Sequence, residues 1–193
     1  MKTRESGMPE EQMWRTFFEP ESILTALKLD QNVRDAVDFG CGYGTFALPA
    51  ARRIQGTLHG FDIDAAMVAE CERRAREAGL ANLRPTVRDF VKDGTGLAEN
   101  SVDYVMIFNI LHAEEPQVLL REAWRILRSD GRVTVVHWNY DETTPRGPSM
   151  KIRPRPEDCQ RWIKEAGFET DGDIIDLPPY HYGLTGQKTG NAP

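Results

Sequence analysis

Ala36-Val37-Asp38-Phe39-Gly40-Cys41-Gly42-Tyr43-Gly44-Thr45-Phe46 reads as an apolar strand ending in an acid, then a glycine at every second position, then a helix. Glycines let a backbone turn tightly and approach a bound molecule closely, because no Cβ stands in the way. The acid ahead of them is the informative departure. A phosphate-binding loop offers bare N–H groups and a positive helix end to an anion, and a carboxylate beside it would repel phosphate. The spacing departs too: the dinucleotide pattern wants its third glycine where Thr45 stands, and this chain has Gly44. Asp38, Gly40, Gly42 and Gly44 therefore suit a ligand that is cationic where it meets the loop. S-adenosylmethionine, with an ammonium and a sulfonium and no phosphate, has that character.

Working outward, strand-like and helix-like patterns alternate from about Val33 onward, which predicts an α/β, doubly wound, mostly parallel sheet. Strands are expected over 34–39, 57–62, 83–88, 102–108 and 132–138, and helices over 45–54, 64–77, 115–127 and 157–166. Asp64 is placed to cap the second of these helices and Gly79 to close it. Lys92 to Ser101 reads as a loop with room for one helical turn, and Asn139 to Pro156 as a long polar, proline-rich loop. The tail changes rhythm: 174–177 and 180–187 follow one another without a helix, as an antiparallel hairpin at a sheet edge would. Residues 188–193 are expected to fray. Ahead of the first strand, Met13, Trp14, Phe17 and Phe18 form a bulky stripe in a helical stretch beginning near Met8, and Glu21 to Leu29 forms another. Such a stripe docks on the sheet or covers a cofactor as a lid, and the two are compatible.

The 193 residues fit one domain, divided as a helical cap over 1–32, a cofactor-binding core over 33–138 and a loop, helix and hairpin over 139–193. A net charge of −6, with acids and bases interspersed, argues against nucleic acid as a partner. The basic run Lys151 to Arg155 reads as a solvated face. Cys41, Cys71 and Cys159 are odd in number and far apart, so no disulfide framework, zinc site or iron–sulfur cluster is expected, and no metal. The polar start carries no signal-like or membrane-spanning run, which makes a reducing cytoplasm the default.

Ligands of open α/β sheets lie beyond the carboxyl ends of the strands, where strand order reverses. Each expected strand end carries a suitable group. Asp62, about twenty residues past the glycine loop, is placed to accept both ribose hydroxyls, with Ile63 and Met67 beside it. Met67 also lies on the apolar face of its helix, where core packing explains it. Asp89 is placed to take the adenine amine and Phe90 to flank the ring, although a helix-starting aspartate reads almost as well. Asn109 is placed at the ammonium of the amino-acid tail, with helix capping as its competitor.

Taken in order, these positions resemble the class I S-adenosylmethionine-dependent methyltransferases, in particular the small type 11 branch related to quinone-biosynthesis methyltransferases. The marks are Val37-Asp38-Phe39-Gly40-Cys41-Gly42-Tyr43-Gly44, Gly60-Phe61-Asp62-Ile63, Arg88-Asp89, Val102-Asp103-Tyr104-Val105 and Glu122 to Gly131. Ser129-Asp130-Gly131 departs from the family's usual proline-glycine-glycine. The resemblance implies a seven-stranded sheet with an antiparallel last strand, S-adenosylmethionine as cofactor and S-adenosylhomocysteine as product.

A sulfonium methyl is already activated, so alignment of the acceptor is the main task, and a base is needed only where the acceptor holds a proton. His112 and His137, each following an apolar strand, are the candidate bases, with ordinary hydrogen-bonded loop histidines as the alternative. Tyr140, Asp141 and His181 are weaker ones. Trp14, Tyr43 and Trp138 offer aromatic faces to a cation. The Asn/Asp-Pro-Pro-Tyr motif of amino-group methylation is missing after the fourth strand, where Asn109-Ile110-Leu111-His112 stands. Direct in-line transfer to a small-molecule acceptor is the expected function. A cofactor-binding protein without turnover is one alternative. A nicotinamide oxidoreductase is another, disfavoured by Asp38, by the missing third glycine and by the lack of a Tyr-x-x-x-Lys pair.

Overall fold

A computed structural model describes residues 13, 14 and 16–190. The part of the first expected helix that falls on residues 8–12 lies outside them. Seven strands, β1 (Ala36–Phe39), β2 (Leu58–Asp62), β3 (Leu83–Val87), β4 (Val102–Phe108), β5 (Leu127–Trp138), β6 (Ile175–Leu177) and β7 (His181–Gln187), form one sheet in the order β3-β2-β1-β4-β5-β7-β6. All neighbours from β3 to β5 run parallel. β7 runs antiparallel to both β5 and β6, as the tail hairpin predicts. The hairpin inserts its second strand beside β5, which leaves the three-residue β6 as the edge.

Parallel strands are covered on both faces, so their sequences are apolar almost throughout. β1 is buried at all four residues, and β4 at all but Asp103. Successive side chains alternate between faces. Ala36, Leu58, Tyr104, Met106, Val136 and Trp138 share one core with α1 (Pro20–Ala26), α2 (Ala47–Arg53) and α3 (Ala65–Glu77). Val37, Phe39, Phe61, Val105, Ile107, Val133 and Val135 share the other with α5 (Pro116–Ile126) and α6 (Pro156–Glu165). Between β3 and β4 lies the single turn α4 (Phe90–Asp93), the turn for which the loop had room.

Boundaries shift where local chemistry is weak. The helix after the glycine loop begins at Ala47 rather than Thr45, because the backbone from Gly42 to Phe46 is still turning. β5 starts at Leu127, directly after α5, and bends over Ser129–Gly131 with Asp130 at φ +65° before pairing resumes at Arg132. Lys188 is not frayed. Its N–H donates to the Gly131 carbonyl, and its ammonium donates to Asn100 Oδ1, Trp124 O and Leu127 O at 2.7–2.8 Å.

Arg153 is a second departure. It lies inside the run expected to be solvated, yet is 8% exposed. Its guanidinium donates to the carbonyls of Asn139, Asp141, Arg146 and Pro148 and to Thr144 Oγ1. A long loop with no ladder of its own needs partners for its buried carbonyls, and five donors in a rigid fork supply them.

Candidate functional site

β1 and β4 are parallel neighbours from which the chain departs in opposite directions, toward β2 on one side and β5 on the other. At that reversal the strands' carboxyl ends open a crevice, and the glycine loop turns into it. The N–H groups of Gly40 and Cys41 donate to the Phe61 carbonyl at 2.8 and 3.0 Å, and the Gly44 N–H donates back to Cys41 O at 2.8 Å. Gly40, Gly42 and Gly44 take φ of +76°, +50° and +80°, values that side-chain-bearing residues adopt only with strain. A Cβ on Gly40 would stand 3.3 Å from Ile110 Cγ2, so the loop lies directly against the chain leaving β4.

Asp62 holds the loop to β2. Its carboxylate accepts the Gly42 N–H at 2.9 Å and the Asp64 N–H at 3.0 Å. Asp64 caps α3 by accepting the Ala66 N–H at 2.8 Å, which leaves Asp62 free of that duty. Asp38, 3% exposed, is pushed up to about 7 by burial and then by the negative charge of Asp62. Burial also raises Asp62, against the opposing N–H donors of Asp64 and Gly42. Among the described residues, neither acid is paired with a basic side chain. Two buried acids without a compensating cation make a site whose potential favours a positive ligand.

The other expected contacts divide. Asn109 directly follows β4 with φ +58°, and its N–H donates to Val136 O at 2.7 Å. Both of its carboxamide atoms are buried without a hydrogen-bond partner, a costly arrangement that calls for a reason. Phe90 stacks on Phe39 at 4.9 Å between centroids. Asp89 caps α4, accepting the Lys92 N–H at 3.1 Å, which is the competing role the sequence allowed it. Ile63 is exposed and Met67 half-buried, while Val68, Cys71 and Ala75 carry the helix's core contacts. Tyr43 has the Arg74 guanidinium 5.7 Å from its ring centroid.

His112, in the turn after β4, and His137, near the end of β5, meet with Nδ1 of the first 3.3 Å from Nε2 of the second. His137 is fully buried, its Nδ1 has no partner, and burial and then His112 hold its pKa well below the usual range. It is therefore neutral across physiological pH. The sequence singled out both histidines but not their contact, because only the β4–β5 pairing brings them together.

A family model described as a methyltransferase domain matches residues 36–131. The chain belongs to the class I S-adenosylmethionine-dependent methyltransferases. Among curated relatives, aklanonic acid methyltransferase DauC of Streptomyces sp. (strain C5) is 33% identical over 142 residues, 67% of this chain and 62% of that protein. Nocamycin O-methyltransferase of Saccharothrix syringae is 34% identical over 101 residues, 51% of this chain and 36% of the relative. The chain thus spans less than two thirds of either curated relative. Neither name refers to quinone biosynthesis, the branch expected from the sequence. An S-adenosylmethionine-dependent methyltransferase from Aquifex aeolicus has the same fold, with a TM-score of 0.79 at 21% identity over 89% of this chain and 90% of that one.

The residues present fit the family's cofactor. Uncompensated acids at Asp38 and Asp62 suit its ammonium and its ribose hydroxyls, and the orphaned Asn109 carboxamide has a donor and an acceptor to spare. Asp62→Ala removes the acceptor of the Gly42 and Asp64 N–H groups. It is expected to weaken S-adenosylhomocysteine binding by about 1–3 kcal/mol, as read by calorimetry. Unchanged affinity in a folded variant would remove Asp62 from the site.

Proposed function

We propose that this chain transfers a methyl group from S-adenosylmethionine to an oxygen of a small-molecule acceptor. The observation that carries the reading is Asp38, an acid buried at the sheet's switch point and paired with no basic side chain among the described residues. Asp38 and Asp62 would hold the cofactor, with Asn109 beside them. The names of the two curated relatives, which refer to an acid and to O-methylation, support an oxygen acceptor of small size.

The cofactor supplies a methyl group on a positively charged sulfur that leaves as a neutral thioether. The protein's part is to align the acceptor and, where that acceptor carries a proton, to receive it. His112 is the group for the second task. It stands half-buried at the mouth of the β4 end, and its Nδ1 side is held by the buried, neutral His137. His137 is a positioning residue, because it acts through His112.

Incubating the protein with methyl-labelled cofactor and a panel of phenols, enols and carboxylic acids tests the reading. Labelled product from at least one class is expected. With a phenol, His112→Ala should lower kcat about 10²–10⁴-fold and leave S-adenosylhomocysteine affinity within about twofold of wild type. With a carboxylic acid, already ionised at neutral pH, the same variant should lose little. Equal losses on both acceptors would deny His112 the role of base, and no transfer to any class would refute the proposal.

A further inference from the structure

His181 begins β7, against the end of β5, and so stands on the same rim of the sheet as Asn109 and the glycine loop. It is fully buried, and neither ring nitrogen has a hydrogen-bond partner. Two aromatic rings pack against it, 6.1 Å from one another. Phe18 stacks on it at 4.3 Å with 29° between the planes, and Trp138 lies at 4.3 Å tilted by 45°. Phe18 continues into Phe46 at 5.2 Å, and Phe46 into Phe108, the residue before Asn109, at 4.8 Å. An unbroken aromatic wall therefore runs from the end of β4 to the start of β7.

An imidazole with both nitrogens buried and unsatisfied is a poor structural choice. Phenylalanine would fill the slot without leaving a donor and an acceptor stranded. A buried polar group left without a partner calls for an explanation, and a ligand that arrives later supplies one. Trp14, Phe17 and Phe18 lie against this region through ring contacts, and the Thr16 and Phe17 N–H groups donate to the Met13 and Trp14 carbonyls of the same segment.

We propose that the slot now filled by the Phe18 ring, between His181 and the Phe46–Phe108 wall, is the binding site for a flat aromatic acceptor that bears a hydrogen-bonding oxygen. The proposal rests on the methyltransferase reading and gives its acceptor a class. On binding, the acceptor ring takes the place of Phe18 against the imidazole, and its hydroxyl or carbonyl engages a His181 nitrogen. Burial, and then the charge of Arg153, push His181 down to about 3, so the ring is neutral and able either to donate or to accept. The Phe18 ring is then the part of the site that moves.

The test is calorimetric titration of the S-adenosylhomocysteine-loaded protein with 2-naphthol, and with decahydro-2-naphthol as the non-planar control. Wild type is expected to bind 2-naphthol and to bind the saturated control at least tenfold more weakly. His181→Phe should keep its affinity for S-adenosylhomocysteine, melt no lower than wild type, and lose about tenfold or more in affinity for 2-naphthol, the worth of one hydrogen bond to a buried group. Phe18→Ala should bind 2-naphthol more tightly than wild type, since no ring has to leave. Undiminished 2-naphthol affinity in His181→Phe, or no 2-naphthol binding by protein that does bind S-adenosylhomocysteine, would overturn the pocket. Absence of S-adenosylhomocysteine binding would instead overturn the methyltransferase reading beneath it.

Discussion

Asp38→Asn is expected to bind S-adenosylhomocysteine about thirtyfold or more weakly than wild type and, at pH 8, to melt several degrees higher. The two effects share one cause. Asp38 titrates near 7 rather than at its ordinary 3.8 because burial and Asp62 disfavour its charged form. In the folded protein without ligand it is still protonated at pH values where the unfolded chain has already released that proton. Its contribution is therefore fully present below about pH 4 and is lost as pH rises through 7. At about 1.4 kcal/mol per pH unit, the ceiling on this cost above pH 7 is about 4 kcal/mol. Asparagine carries no charge and escapes it, so the variant should gain most at pH 8 and little at pH 5. The same change removes the proposed partner of the ligand's ammonium, a loss of about 2–5 kcal/mol for a buried charge pair. Melting scans at both pH values, paired with calorimetry, check the opposite signs. A variant that binds normally would show that Asp38 faces no cation.

Gly44→Val is expected to lower stability by about 2–5 kcal/mol, from the left-handed backbone and from overpacking together. Gly44 has φ +80°, and a Cβ there would stand 2.0 Å from Leu48 Cδ1 and 2.9 Å from Cys71 Sγ. Leu48 sits on a flexible side chain and can turn away. Cys71 is fully buried in α3 and has no room to yield. The strain falls on the loop that grips Asp62 through Gly42, so ligand affinity should fall with stability. Urea melts of the two proteins with and without S-adenosylhomocysteine separate the effects. A variant with unchanged midpoint and affinity would show that the loop tolerates a side chain where none now fits.

Much of this was legible in the chain because it is written in short-range chemistry. The apolar run into Asp38 marks β1, the alternating glycines mark the turn, and Asp64 stands where a helix cap must. Asp62 could be separated from a capping role for the same reason. What stayed hidden depends on residues far apart in sequence. The His112–His137 contact exists only because β4 and β5 are neighbours. Lys188 and Arg153 look like surface cations in the sequence, since nothing near them shows which carbonyls they will serve. Asp89 illustrates the remaining limit: an acid at a strand end that starts a helix reads as ligand contact and as cap, and the fold displays the cap. The type 11 branch was read from marks shared across a broad family, which is why relatives named for other acceptors match the same stretch.

The most direct measurement is a calorimetric titration of the wild-type protein with S-adenosylhomocysteine at pH 8, repeated at pH 6. One site per chain is expected, and the affinity should weaken at pH 6 by up to about tenfold for each pH unit below 7 as Asp38 takes up its proton. Absence of heat at either pH from a folded sample, or an affinity indifferent to pH, would contradict the claim that a buried carboxylate beside the glycine turn receives the ligand's positive charge.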